Sequence, residues 1–148
     1  LLDSQLIVIS FGINEVFDRG YQRQSYWYAL DSVLSALRSP TADSDLHLRP
    51  CLLTGPFAAL RRGSPPRALN EVYNIQRELS ARYGCALWDA RAAMGGDLRP
   101  WQKTKLARRD GVHLSRHGYR RIAELFEESI LMTWEAWKRQ GQSTSQRR

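Results

Sequence analysis

The stretch Leu6-Ile7-Val8-Ile9-Ser10-Phe11-Gly12 decides the fold. An unbroken apolar run, largely β-branched and ended by a glycine, has the pattern of a strand buried in a parallel sheet. Residues 21–38 then turn helical, with Trp27, Leu30, Val33, Leu34 and Leu37 on one face, until Ser39-Pro40 stops them. Residues 40–49 form a polar loop, and Pro50-Cys51-Leu52-Leu53-Thr54 is a second short strand closed by Gly55-Pro56. The basic stretch 60–66, broken by Gly63, Pro65 and Pro66, has the composition of a surface loop. A second helix spans 66–83 with Ala68, Val72, Ile75 and Leu79 in one stripe, and Gly84 ends it. Cys85-Ala86-Leu87-Trp88 is a third strand with Asp89 at its carboxyl end, and residues 89–112 are a long segment broken by Gly95-Gly96. The last helix runs over 115–138, its apolar face made by Tyr119, Ile122, Ala123, Phe126, Ile130, Trp134 and Trp137. Strand and helix alternate three times, which predicts a parallel sheet covered by helices within one domain over residues 1–138. Residues 139–148 are expected to be a disordered polar tail.

Composition narrows the function classes. The 148 residues fit one domain, and 43% hydrophobic with 25% charged residues excludes a mostly disordered chain. No apolar run approaches the ~20 residues of a membrane-spanning helix. The net charge of +7 suits an anionic partner without distinguishing nucleic acid, glycan or membrane surface. Cys51 and Cys85 lie in apolar surroundings and are expected to be small buried hydrophobes rather than a disulfide or a nucleophile. Two cysteines and three histidines give little support to a four-ligand zinc site, and no metal or cofactor is expected. The first residue is not methionine, and no charged n-region precedes an apolar h-region, so any targeting signal is expected to be absent or to lie upstream of Leu1.

In an open parallel sheet, ligands bind at the carboxyl ends of the strands. Gly12 follows the first strand and brings a backbone N–H close to a ligand, and Asn14 adds a side-chain NH₂. Together they suit a developing oxyanion, although Gly and Asn also favour simple turns. Asp110 and His113 stand three residues apart before the last helix. That spacing lets the carboxylate orient the imidazole as a base, the alternative being a helix cap beside a solvated histidine.

Leu6 to Glu15, then Trp88-Asp89-Ala90-Arg91-Ala92-Ala93-Met94-Gly95-Gly96, then Asp110-Gly111-Val112-His113-Leu114-Ser115 with Gly118-Tyr119, form three ordered blocks. Together they resemble the SGNH/GDSL hydrolase family, and the middle block resembles the branch with bacterial peptidoglycan O-acetylesterases. The resemblance implies a flavodoxin-like three-layer α/β/α sandwich. It also implies ester hydrolysis by a Ser-His-Asp triad, with His113 as base, Asp110 as its orienter, and Gly12 and Asn14 in the oxyanion hole. The implied substrate is an acylated glycan or small ester, and the implied location is the bacterial periplasm or cell surface.

The family's Gly-Asp-Ser nucleophile motif is missing. Asp3-Ser4 precedes the first strand and lies at its amino edge, Ser10 belongs to the oxyanion-side motif, and Ser115 supports the start of the last helix. The family's second oxyanion glycine is missing as well. Two explanations are open: a carboxyl-terminal portion whose amino-terminal strands and serine lie upstream, or an inactive relative that binds glycan. The thin sheet and the start inside a core strand favour the first, and the chain alone is expected to be inactive.

Residues 97–121 carry eight basic and two acidic residues, a solvated face or an electrostatic lip near His113. No nucleic-acid-binding signature accompanies that charge, so no nucleic-acid partner is expected. Trp101 is a loop anchor or a sugar-stacking platform, and Met94 and Gly95 are substrate-binding candidates through the resemblance.

Overall fold

A computed structural model describes residues 6–39 and 50–145. Asp3-Ser4, the 40–49 loop and the last three residues lie outside them. The element order is β1 (Ile7–Ser10), α1 (Ile13–Phe17), α2 (Arg23–Arg38), β2 (Cys51–Thr54), α3 (Ala68–Arg82), β3 (Ala86–Trp88), α4 (Ala90–Ala93), α5 (Arg99–Lys103) and α6 (Arg116–Ser145). The three strands form one parallel sheet in the order β1-β2-β3, as the alternation of strand and helix predicts. Ile7 pairs with Cys51 and Ser10 with Thr54, and Thr54 in turn pairs with Trp88. All three strands therefore end level, at one edge.

The period-2 alternation of side chains divides the core. Ile7, Ile9, Cys51, Leu53, Cys85 and Leu87 face α2 and α3, where Leu30, Leu34, Val72, Ile75 and Leu79 close the main cluster. Trp88 points the other way, into a second cluster with Leu98, Trp101, Leu114 and Ile122, and its ring meets Phe126 of α6 at 4.8 Å. That second face is only partly covered. Leu6 and Val8 are exposed on it, Val8 at 50%, and an apolar groove runs between Leu52, Ala86 and the α6 residues Ile130 and Trp134.

Several expectations change. β1 is an edge strand among the described residues, so of its run only Ile9 is fully buried. On α2 the buried stripe is Tyr26, Leu30 and Leu34, while Val33 turns outward. Leu60 is buried rather than part of a surface loop, because its N–H donates to the Gly111 carbonyl at 2.8 Å. Tyr119, Ala123, Ile130 and Trp134 of α6 are exposed, and that helix continues past Lys138 to Ser145. Gly84 does follow the α3 cap with a left-handed φ of +65°.

The cysteines also change: Cys51 and Cys85 form a disulfide. Leu52 pairs with Ala86, so the preceding residues of the two strands lie side by side, with Cα atoms 4.8 Å apart. A separation of 34 residues conceals that adjacency in the sequence. Closing a loop of that length stabilises the fold by about 4 kcal/mol on the chain-entropy model.

Candidate active site

Two turns lie beyond the carboxyl ends of the strands: 110–113 is bonded to Leu60 in the segment after β2, and 12–15 follows β1 directly. The first is 110–113. Its backbone is set by Gly111, whose φ of +80° is left-handed and whose Cβ position is occupied by the Leu60 carbonyl group. Only glycine fits there, and the Leu60–Gly111 bond ties the turn to the segment after β2. The Arg108 N–H donates to the His113 carbonyl at 2.8 Å, and Ala107 bridges Leu114. Ser115 Oγ accepts from the Gly118 N–H at 3.2 Å, which places Ser115 at the start of α6.

Within this frame Asp110 holds His113 twice. Oδ1 accepts from the backbone N–H groups of Val112 and His113, each at 2.9 Å, and Oδ2 lies 3.0 Å from His113 Nδ1. The His113 and Val112 backbone bonds, with the His113 ring bond adding to them, hold the Asp110 carboxyl down at about 2. An ionised Asp110 accepts the Nδ1 proton, which leaves Nε2 as the basic nitrogen of the ring. Both side chains are exposed to solvent. The structure thus brings together the two side chains that the sequence spacing pairs.

The second turn, 12–15, differs. Gly12 is buried with φ +109°, at the N-cap of α1. Its N–H does not face solvent: it donates to Glu15 Oε2 at 3.1 Å. The spacing of Gly12-Ile13-Asn14-Glu15, a cap residue and a glutamate three positions on, is the sequence signal for this bond. Asn14 is exposed, and its side chain has no hydrogen-bond partner among the described residues. Of the two expected oxyanion donors, the structure leaves Asn14 free and engages Gly12.

Met94 and Trp101 are core residues, 4% and 7% exposed, and Trp101 Nε1 donates to the Met94 carbonyl at 3.0 Å. Both pack into the second core cluster, and little of either side chain is exposed. A tryptophan outside any periodic pattern closes the second core instead. Gly95 is exposed beside them. Asp89 caps α4 by accepting from the Ala92 N–H at 2.8 Å. Of the basic residues in 97–121, Arg99 pairs with Asp97 and Arg121 with Glu124 and Glu128, while Lys103, Lys105, Arg108, Arg109, Arg116 and Arg120 are exposed. Among the described residues no serine hydroxyl is hydrogen-bonded to His113, no group of three or more His, Cys, Asp or Glu converges as a metal site, and no helix is long and apolar enough to cross a membrane.

Comparison with known proteins adds the family. A peptidoglycan O-acetylesterase structure superposes with a TM-score of 0.80 at 26% identity, over 90% of this chain and 39% of that one. An acetylxylan esterase from Geobacillus stearothermophilus gives 0.65 at 20% identity, over 85% and 59%, and a lipase/acylhydrolase from Enterococcus faecalis 0.63 at 22%, over 85% and 60%. The chain thus spans between 39% and 60% of these proteins. No curated protein sequence matches it. The GDSL-like lipase/acylhydrolase family model matches residues 1–121, so the chain with this His-Asp turn at its sheet edge belongs to that family.

Proposed function

We propose that the chain supplies the base and the oxyanion side of a serine esterase that removes acetyl or other short acyl groups from a cell-envelope carbohydrate. The observation that carries this is the Asp110–His113 pair, oriented by three hydrogen bonds at the edge where such sheets bind ligands. The nucleophilic serine lies upstream of Leu1, a reading supported by the fraction of its relatives that the chain spans. In that arrangement the serine hydroxyl adds to the ester carbonyl as Nε2 of His113 takes its proton. The oxyanion that forms receives the Asn14 NH₂. When the intermediate collapses, His113 returns the proton to the departing sugar hydroxyl, and water then releases the acyl group by the same route. The Cys51–Cys85 disulfide fits an oxidising compartment such as the periplasm or cell surface.

The exposed basic residues near His113 favour a second reading, an inactive module that holds anionic glycan. Hydrolysis of 4-nitrophenyl acetate separates the two. Residues 1–148 alone stay at background, whereas the chain extended by its preceding coding sequence turns over and loses activity on His113→Ala. Turnover by residues 1–148 that His113→Ala abolishes would place the nucleophile inside this chain. An inert extended chain that still binds glycan would establish the inactive module.

A further inference from the structure

Gln76 lies in the middle of α3, only 1% exposed, and its amide reaches under the 12–15 turn. Nε2 donates to the Phe11 carbonyl at 2.8 Å and to the Tyr26 hydroxyl at 3.0 Å. The amide orientation follows from these partners, because reversing it would set Oε1 against the Phe11 carbonyl oxygen. Oε1 is then a buried acceptor with no partner among the described residues. Such an atom costs stability, and a leucine or methionine of similar volume would avoid that cost. The buried α3 residues around Gln76 are mostly apolar, with Val72, Ile75 and Leu79 fully buried and Ser80 the one other polar side chain.

What the glutamine secures is the turn itself. Phe11 is exposed, so its backbone has no anchor from its own side chain, and β1 is paired on one side only among the described residues. Gly12 adopts φ +109°, and a Cβ there would fall 2.9 Å from Gln76 Nε2, 2.7 Å from Val72 Cγ1 and 3.1 Å from the Tyr26 hydroxyl. Gln76, Val72 and Tyr26 therefore form the floor on which the 11–12 peptide rests, and Gln76 provides its directional bond.

We infer that Gln76 is a positioning residue: acting through the Phe11 carbonyl, it fixes the turn that aims Asn14 at the sheet edge. This deepens the esterase reading and rests on it for the meaning of Asn14, but its test does not require catalysis. In residues 1–148, amide exchange at Gly12 and Val16, whose N–H groups bond Glu15 and the Gly12 carbonyl, reports the turn. The ¹³C shift of the Phe11 carbonyl reports the Gln76 bond directly. Gln76→Leu is expected to speed exchange at both amides at least tenfold and to move the Phe11 signal, with the thermal midpoint unchanged or raised. Gln76→Met repeats the test should the branched side chain prevent folding, and Tyr26→Phe, which keeps the Phe11 bond, is expected to leave that signal in place. Turn exchange unchanged in both Gln76 variants, or a fall in thermal midpoint that matches the faster exchange, overturns the inference and leaves Gln76 an ordinary core residue. In the extended, hydrolysing chain Gln76→Leu should lower kcat at unchanged KM. If that chain is inert while the exchange result stands, the esterase reading fails and the positioning role survives.

Discussion

The two turns at the carboxyl edge use the same local device to opposite ends. In 110–113 a carboxylate accepts an N–H three residues ahead of it, and in 12–15 a carboxylate accepts an N–H three residues behind it. Asp110 has an oxygen left over, and that oxygen orients an exposed imidazole. Glu15 reaches back over the turn and occupies the donor that the sequence offers to a ligand. A short side chain reaching forward builds a site, whereas a longer one reaching back seals the helix end. In the proposed esterase the base is therefore oriented within its own turn, and the 12–15 turn offers the Asn14 side chain, which has no partner among the described residues.

The largest effect expected from this asymmetry is at His113. In the extended, hydrolysing chain, His113→Ala should lower kcat by about 10⁶-fold, because members of a triad act as a unit. Asp110→Asn should cost about 10⁴, since an amide NH₂ facing Nδ1 favours the wrong tautomer. Steady-state kinetics with KM held in view checks both, and a loss below tenfold in either would remove the pair from the chemistry. The Asp110 carboxyl carries its own signature. Its folded pKa of about 2 lies below the ordinary ~3.9, so the bonds it makes add stability fully present above pH ~4 and lost as the pH falls through about 2. The Asp110 carboxyl ¹³C signal and the Val112 and His113 amides should titrate together at that midpoint.

The difference between the turns also explains what the sequence can show. The 110–113 turn is local: a carboxylate, a glycine and a histidine three positions on specify it, so Asp-x-x-His is legible in the amino-acid sequence itself. The strands and α3 are legible for a similar reason, because period and punctuation are local signals. What stays hidden depends on distant pairing. The disulfide needs the register of β2 against β3, the burial of Trp101 needs α6 in place, and the Gln76–Phe11 bond spans 65 residues. Gln76 sits beside an apolar stripe in the sequence, and nothing local marks it as buried. The Gly12–Glu15 bond is the exception, a local capping pattern open to reading that competes with the expectation of an oxyanion donor at the same glycine.

Asn14 comes next in size. Its side chain has no hydrogen-bond partner among the described residues, and if it serves the oxyanion, Asn14→Ala should lower kcat by about 10²–10³ with KM little changed. An unchanged kcat would leave the 12–15 turn without a catalytic part.

The smallest effect expected is also the most discriminating. Glu15→Ala removes the carboxylate that holds the Gly12 N–H and costs α1 about 1 kcal/mol of capping. If Asn14 alone serves the oxyanion, kcat in the hydrolysing chain should change by less than tenfold, and the double variant Asn14→Ala/Glu15→Ala should be as slow as Asn14→Ala. If the Gly12 N–H is instead a donor held in reserve, releasing it would raise kcat by more than tenfold or restore activity to the Asn14→Ala background. Gly12 argues against that outcome: it is buried, and its position is fixed from below by Val72, Gln76 and Tyr26 rather than by Glu15. Freed of the carboxylate, its N–H would be an unpaired donor at the start of α1, for which a substrate oxygen must compete with water.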